Sequence, residues 1–375
     1  MTSKSQTIKL DQTISETVID TERVGYVDIA KGIGITLVVM GHNDFALISP
    51  FFHKLIYSFH MPMFFFMSGM FFNPDLPFWK YACHRFSRVL KPFLFMILFI
   101  YFTSISFSNV GILEASRRLS KALYGNGYYL DWVQLWFLPH LFAVSLFAYF
   151  YFRATRGRYN FPLRSAFLLV LYIGGLYGIA LFWPFELNIL GRELTVFGLP
   201  YSLDIIFVSG FFFILGYELN QAQHGFILEN PFTLLISGIS LLFLVWYFPA
   251  TIDFNTRLFE SLPVNTLEAL LGILLMLSIS KQMEKVSWLS SLFRYIGQAS
   301  LVILVFQVPI QDYWGQKILR ITDNLQFSYW LSFLIGVAGP VAINALFIRP
   351  NPILRRWFSQ QAPQGKTHQG VSIFE

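Results

Sequence analysis

Long apolar stretches separated by short polar connections dominate the chain. A helix needs about 20 apolar residues to cross a hydrocarbon core of roughly 30 Å. Stretches of about that length cover residues 27–47, 51–72, 92–110, 132–152, 165–184, 201–219, 232–250, 263–280, 296–314 and 327–348. The pattern therefore predicts an all-α, polytopic integral membrane protein with about ten transmembrane helices.

Polar segments flank this apolar region at both ends. Residues 1–24 contain no apolar run after a basic start, so they do not have the pattern of a signal peptide. We expect them to form a flexible cytoplasmic tail, and we expect the same of residues 358–375. Because no internal repeat or soluble second domain is visible, residues 25–357 are predicted to form one transmembrane domain.

Composition supports the membrane assignment. The chain of 375 residues is 55% hydrophobic and 13% charged, whereas an ordinary soluble domain is about 25% charged. This balance disfavours a soluble protein, a disordered chain and a nucleic-acid binder. The single cysteine cannot form an internal disulfide, which argues against a disulfide scaffold.

Topology accounts for most of the net charge of +6. Lys and Arg concentrate in the cytoplasmic loops of membrane proteins. With the N-terminus placed inside, 18 of the 27 Lys and Arg residues fall in predicted cytoplasmic segments and 8 in outside loops. Both termini are therefore predicted to be cytoplasmic. An anionic ligand bound at one cytoplasmic cluster is the alternative explanation for part of the excess.

Three ionisable residues, Asp28, Lys31 and His42, fall within the first apolar stretch. Such residues cost about 2.5–3.5 kcal/mol each in hydrocarbon and usually face a protein interior or a water-filled cavity. At about 100° per residue, Lys31 and His42 differ by only about 20° around a helix, and Asp28 precedes Lys31 by three positions. All three are predicted on one stripe of one helix. The alternative places Asp28 and Lys31 at the cytoplasmic interface and His42 in the opposite headgroup region.

Two further groups of polar residues follow. The second stretch contains His60, Pro62 and Ser68, and a proline within a membrane helix is expected to kink it and free backbone groups. A hydrogen-bonded interior histidine is the simpler interpretation of His60 alone. The next cytoplasmic segment carries three basic residues at intervals of three, Arg85, Arg88 and Lys91. Membrane anchoring and phosphate binding are equally compatible with this spacing.

The segments DIAKGIGITLVVMGH (28–42) and FHMPMFFFMSG (59–69) together resemble the start of the acyltransferase 3 family, in particular its fucose 4-O-acetylase and polysaccharide O-acetyltransferase relatives. Members have an acidic residue, a basic residue three positions later and a histidine eleven positions beyond it. This sequence fits that pattern, although the basic residue is more often Arg than Lys. The resemblance extends over about residues 24–350.

Weaker matches to the same family lie further along the chain. They are the basic run that ends at Lys91, the segment WFLPHLF (136–142) and the segment YIGQASLVILVFQ (295–307). The last of these resembles a late family helix that often ends in histidine, where this chain has Gln307.

The resemblance implies a membrane O-acyltransferase that takes an acyl group, commonly acetyl, from acyl-CoA in the cytoplasm. The acceptor would be a sugar hydroxyl of a lipid-linked, cell-surface or exported glycan, such as an exopolysaccharide, a capsule or an O-antigen. We therefore predict a multi-pass protein of the bacterial cytoplasmic membrane. Its expected partners are acetyl-CoA, a glycan acceptor and membrane lipid, without nucleic acid or metal, and a homo-oligomer is left open.

Acyl transfer to a hydroxyl requires a base, an oxyanion site and a site for the donor's phosphates. His42 is the predicted general base because histidine titrates near neutral pH, and Asp28 and Lys31 complete the predicted catalytic set. The predicted donor-phosphate ligands are Arg85, Arg88 and Lys91. The candidates for contacts with the acceptor or the oxyanion are His60, Ser68, Trp136 and Gln307. Direct attack on the thioester is preferred, with an acyl-histidine intermediate left open.

Two other functions fit some of the same residues. In a polytopic transporter, Asp28, Lys31 and His42 would form an ion or proton relay. A non-catalytic partner in a polysaccharide assembly complex would tolerate the loss of His42. The paired motifs of the first two stretches favour acyl transfer, because a relay does not require both.

Overall fold

The computed structural model describes residues 25–42, 45–107, 111–189, 192–221, 225–248 and 251–358. The predicted tails lie outside these residues, apart from Phe358, which is buried. Helices dominate the described chain, as the apolar pattern predicts. Apolar side chains on nearly all of them pack into a shared interior, so the prediction of an all-α fold is confirmed.

The helices follow one another along the chain with short connections. They are α1 (25–41), α2 (Phe45–Ile48), α3 (Pro50–Tyr57), α4 (His60–Met70), α5 (Phe78–Arg85), α6 (Lys91–Phe107), α7 (Ile112–Leu123), α8 (Phe137–Thr155), α9 (Phe161–Phe182), α10 (Ile206–Gln221), α11 (Gly225–Glu229), α12 (Pro231–Tyr247), α13 (Leu262–Met283), α14 (Ser287–Gln298), α15 (Ser300–Thr322), α16 (Leu325–Ile343) and α17 (Pro352–Phe358). π-Helical turns at Phe86–Leu90 and Asn344–Ile348 continue two of them, and 3₁₀ turns at Val133–Trp136 and Pro200–Ile205 lead into α8 and α10.

Six helical segments among the described residues are long and apolar enough to cross a membrane. They are Phe78–Ser106, Val133–Thr155, Phe161–Leu181, Pro200–Gln221, Leu262–Met283 and Leu325–Ile348. A seventh consists of α14 and α15 if this pair, bent by 76°, is counted as one span. The remaining predicted stretches fall on shorter helices, so a count of ten spans and the orientation of the termini stay predictions.

The first two predicted stretches are broken where the sequence suggested continuous helices. α1 ends at residue 41, and His42 lies in the bend that follows it. The second stretch divides into α3 and α4. Pro62 lies in the first turn of α4, where its missing N–H costs no helical hydrogen bond. The expectation that Pro62 kinks a long helix is therefore wrong, since the break comes before α4 begins.

Backbone-to-backbone contacts hold α1 close to its neighbours. A Cβ atom at Gly32 would lie 2.0 Å from the carbonyl oxygen of Phe293, and one at Gly297 would lie 2.0 Å from that of Asp28. Only glycine permits α1 and α14 to approach so closely. On another side, Gly34 faces Met63 of α4. α1 is thereby enclosed by helices along the part that carries the predicted site.

Loops cover the end of the molecule at which α1 terminates. β3 (Ile252–Asp253) and β4 (Leu258–Phe259) pair in an antiparallel hairpin, and β1 (Phe185–Ile189) pairs with β2 (Arg192–Val196) in another. Asp204 and Arg257 form a buried bidentate ion pair, with Nε–Oδ2 and Nη2–Oδ1 distances of 2.8 and 3.1 Å. This pair ties the β3–β4 hairpin to the turn before α10.

Candidate active site

The N-terminal half of α1 carries a partly buried ion pair. Lys31 Nζ lies 3.3 Å from Asp28 Oδ1, with about a quarter or less of each side chain exposed. The same ammonium lies 4.8 Å from the centroid of the Phe71 ring, just beyond α4. Asp28 and Lys31, three positions apart on α1, are therefore paired, and Lys31 keeps donors available for a further anion because an ammonium has three N–H groups.

Arg85 lies beside the same end of α4. Its guanidinium is 5.9 Å from the ring centroid of Phe213, the residue whose backbone packs against Gly69 of α4. Arg85 Nε and Nη2 are buried and have no hydrogen-bond partner among the described residues. A buried guanidinium without partners is costly, so these two N–H groups fit an anionic ligand that binds there. A phosphate oxygen is the kind of acceptor that this planar donor set prefers.

The other two predicted phosphate ligands have different surroundings. Arg88 lies in the π-helical turn, is partly buried and lies within electrostatic range of Arg85. Lys91 Nζ donates to the carbonyl oxygen of Arg356 at 3.1 Å and lies 4.5 Å from the ring centroid of Trp357. The structure therefore places Arg85 and Arg88 together, whereas the Lys91 ammonium is held against α17.

The opposite end of α1 meets a cluster of aromatic and titratable side chains. Gly41 packs against the ring of Tyr57. That ring stacks on His53 with centroids 4.1 Å apart and meets His60 edge-on at 4.7 Å. His42, partly buried, is within electrostatic range of His53 and His60. The predicted acceptor residue His60 is thus brought next to the predicted base.

The hydrogen bond of His60 fixes its tautomer. Its Nδ1 lies 3.0 Å from the carbonyl oxygen of Ile56. Because a carbonyl only accepts, Nδ1 carries the proton, and Nε2 of the neutral ring is left as an acceptor. His60 in this form can accept a hydrogen bond from a hydroxyl group but cannot donate one to an oxyanion. The geometry therefore favours the acceptor-binding role among the two predicted for His60.

Asp253 supplies a negative charge at this end of the molecule. It lies on β3 and is within electrostatic range of His42, His53 and Tyr57. Its Oδ1 accepts hydrogen bonds from the backbone N–H groups of Asn255 and Thr256, at 2.8 and 3.4 Å. A carboxylate held in this way stabilises a histidine that becomes protonated nearby.

An apolar section separates the two ends of α1. Ile35 and Val38 continue the face that carries Lys31, and they pack in a buried cluster with Ile303 of α15. Beyond Ile303 on the same helix lies Gln307, which is fully buried. From Lys31 to His42 the eleven residue steps correspond to about 16 Å along a helix axis. The site therefore has a cationic end, an apolar middle and a histidine-rich end.

Ser68 and Trp136 have different surroundings. Ser68 precedes Gly69 in the last turns of α4, which places it eight residues, or about 12 Å along the helix, from His60. Trp136 is buried in the 3₁₀ turn before α8, with its ring 5.6 Å from that of His140. Of the predicted acceptor residues, His60 lies within electrostatic range of His42.

Sequence reasoning missed several residues of the site. No feature of the sequence marks Asp253, because it lies in a loop that only the tertiary fold brings close to α1. Gln134 and Gln311 are buried polar residues within predicted spans. The criterion that identified Asp28, a polar residue in an apolar stretch, would have found both of them if it had been extended from charged to amide side chains.

Residues of the metal-ligating types are dispersed in the described chain, and the absence of a metal stays a prediction. Within the ranges that the structure covers, no three His, Cys, Asp or Glu side chains lie together in a way that could hold a metal ion. What the site offers is a base, acceptors and cations. This inventory suits proton transfer beside a bound anionic ligand.

Comparison with known proteins gives one informative match. A family model described as an acyltransferase domain, that of acyltransferase 3, matches residues 24–349, which is most of the chain. No curated protein and no solved structure gave a significant match. The matched region contains both ends of α1 and every side chain described above as part of the site.

Proposed function

This chain belongs to the acyltransferase 3 family, and from that premise we propose that it is a membrane O-acyltransferase with acyl-CoA as donor and a sugar hydroxyl as acceptor. Acetyl is the proposed acyl group, and the proposed acceptor is a cell-surface or exported glycan. The protein would act in the bacterial cytoplasmic membrane, with both termini and the Lys31 end of α1 on the cytoplasmic side.

The observation that carries the proposal is the division of α1 into two chemically different ends. Lys31 and the unpartnered donors of Arg85 flank one end of α4, while His42 and His60 lie at the other end. A CoA thioester likewise has two different ends, with its phosphates at one end and the thioester carbonyl carbon at the other. The phosphates would bind Lys31, Arg85 and Arg88, and the pantetheine arm would pass along α1 towards His42.

His42 would act as the base in a direct transfer. The sugar hydroxyl oxygen attacks the thioester carbonyl carbon while its proton passes to His42. The C–S bond then breaks, and His42 returns the proton to the departing thiolate sulfur, so that the base is restored. Asp253 stabilises the imidazolium that exists between the two proton transfers. His60 Nε2 accepts a hydrogen bond from a second hydroxyl of the sugar and orients it.

Membranes that contain the protein provide the test, with ¹⁴C-acetyl-CoA as donor and lipid-linked oligosaccharides extracted from the host as acceptors. His42→Ala is expected to lower the transfer rate by about 10²–10⁴-fold, the contribution of a positioned base. His84→Ala is the matched control, since His84 is an exposed histidine of α5. It should retain the wild-type rate.

Thermal unfolding in detergent separates a loss of activity from a loss of folding. His42→Ala should unfold close to the wild-type temperature. Full glycan acetylation by a folded His42→Ala variant would refute the assignment of the base. If the wild-type protein failed to use acetyl-CoA with any acceptor, acyl transfer from this donor would be refuted.

A further inference from the structure

Three buried glutamines carry amide atoms that no other described residue contacts by a hydrogen bond. Gln307 is fully buried, and both its Nε2 and its Oε1 are without a partner. Gln134 and Gln311 each use Nε2, towards the carbonyl oxygens of Val305 and Val39 at 2.9 and 3.1 Å. The Oε1 atom of each is left without a partner.

Two of these amides, those of Gln307 and Gln311, lie along the middle of α1. Gln307 and Gln311 are four residues apart, so they lie on one face of α15. Ile303, one turn earlier on that face, packs with Ile35 and Val39 of α1, and Gln311 bonds to the backbone of Val39. Gln307 is therefore level with residues 35–39, which puts it about 5–10 Å below His42 along the axis of α1.

An amide with no partner is rarely retained in a protein interior, since a buried donor or acceptor left unpaired is destabilising. At Gln307 one donor and one acceptor are both available, within an otherwise apolar section. A chain that carries amides satisfies both, because its carbonyl oxygens accept and its N–H groups donate. An unpaired phosphate or carboxylate would leave Oε1 without a donor.

We infer that Gln307 binds an amide of the acyl donor's pantetheine arm, with Gln311 supplying a further acceptor along the arm. This inference rests on the proposed function, because it requires an acyl-CoA donor. The arm contains two secondary amides, and the first is separated from the thioester sulfur by only two carbons. With the thioester at His42, these amides fall at the level of Gln307. The glutamines then determine how far the donor reaches into the protein.

The test compares CoA with a ligand that keeps its adenosine and two of its three phosphates but lacks the arm. Purified full-length protein in detergent is titrated with CoA, which has both amides, and with adenosine 3′,5′-bisphosphate, which has none. Gln307→Met preserves the approximate shape and removes both polar atoms. This variant should have an affinity for CoA about tenfold lower, which is the effect of losing about one hydrogen bond. Its affinity for the bisphosphate should be unchanged. Gln316→Met, an exposed glutamine of the same helix, should change neither affinity.

Steady-state kinetics provide the second measurement. Gln307→Met should raise the KM for acetyl-CoA about tenfold with kcat within a factor of two or three. An unchanged affinity for CoA, or an equal loss of affinity for CoA and for the bisphosphate, would overturn the inference. A fall in kcat at unchanged KM would also overturn it and would make Gln307 an oxyanion donor. A wild-type protein that does not bind CoA at all would instead refute the proposed function.

Discussion

His42 and His140 are both interior histidines, and their hydrogen bonds distinguish their roles. His140 uses both ring nitrogens, with Nδ1 donating to the carbonyl oxygen of Tyr201 at 2.9 Å and Nε2 lying 2.8 Å from Ser209 Oγ. A neutral histidine with both nitrogens engaged has nothing to offer a substrate. At His42 the neighbouring groups are titratable side chains instead. The same residue type is thus structural in α8 and available for chemistry after α1.

His140→Ala is expected to destabilise the protein without a specific effect on transfer. It removes two hydrogen bonds and leaves a cavity beneath Phe65 and Trp136, whose rings contact His140. A loss of about 2–4 kcal/mol in the free energy of unfolding follows from buried-residue truncations. Thermal unfolding in detergent measures it. Specific activity per folded molecule should stay near wild type, and a large fall in it at unchanged stability would give His140 a catalytic role instead.

Arg85→Gln should raise the KM for acetyl-CoA by at least about tenfold, since hydrogen bonds to charged groups contribute about 1.5–3 kcal/mol. The KM for S-acetylpantetheine, which lacks the diphosphate and the 3′-phosphate, should not change. Arg355→Gln serves as the control, because Arg355 is exposed on α17. Equal effects of Arg85→Gln on both donors would contradict a role in phosphate binding.

How much of the site the sequence predicts depends on the kind of residue. Asp28, Lys31 and His42 are identifiable because a charge in an apolar stretch is costly and therefore informative. His60 follows from the adjacent motif. Asp253 is not identifiable, since a carboxylate in a polar loop costs nothing and only the tertiary fold brings it towards His42. The burial of the unpartnered Gln307 amide is likewise visible only once α15 is packed on α1.

At the scale of elements, glycines hold α1 in place together with its buried apolar side chains. Its contact with α14 allows Phe293 and Asp28 carbonyls to lie where a Cβ atom would otherwise be. A helix packed at backbone distance cannot shift without losing those contacts. The positions of Lys31 and His42 therefore depend in part on two glycines that have no chemistry of their own.

Gly32→Ala should lower the free energy of unfolding by about 1–3 kcal/mol, the usual cost of overpacking, because the new Cβ would overlap the Phe293 carbonyl oxygen. Gly174→Ala is the matched control. It lies in α9, where a Cβ atom would meet nothing within 4 Å, and alanine suits a helix better than glycine. Its stability should be unchanged or slightly raised in the same thermal unfolding assay, and a wild-type melting temperature for Gly32→Ala would contradict the close packing.

Helix interiors are predictable from hydropathy, whereas their interruptions are not. The break before His60, the bend of 76° between α14 and α15 and the π-helical turn at Phe86–Leu90 all lie within or beside predicted continuous stretches. At the break before His60 the chain is apolar on both sides, so hydropathy carries no signal for it. Two of the three interruptions lie beside candidate site residues, His60 and Arg85, so a list of apolar stretches alone does not place the site.

At the scale of the whole molecule, the ion pairs respect the sidedness that the basic residues predict. Each ion pair outside α1 in the described part of the chain joins two segments assigned to the same side of the membrane. Arg164–Glu218 and Arg156–Asp75 are on the predicted cytoplasmic side, and Arg257–Asp204 is on the outside. The fold is therefore compatible with the orientation, which itself stays a prediction.

Cys83 offers a direct test of the orientation. It is the single cysteine of the chain, it is exposed, and it lies on α5 two residues before Arg85. A membrane-impermeant maleimide should label it in inverted membrane vesicles and not in intact spheroplasts. The variant that combines Cys83→Ser with Lys317→Cys should show the opposite pattern, because Lys317 is exposed and belongs to a predicted outside loop. Labelling of Cys83 from outside would reverse the topology.

The apolar middle of α1 has a consequence for the cell's energy supply. A path that admits a pantetheine arm across the membrane would, if it filled with water between turnovers, conduct protons down the electrochemical gradient. Ile35 and Val38, packed on Ile303, form an apolar layer in that section of α1, and a narrow apolar constriction excludes water by dewetting. In the proposed acyl transfer, this layer between Lys31 and His42 would insulate the membrane, so that acetyl groups would leave the cytoplasm without a leak of charge.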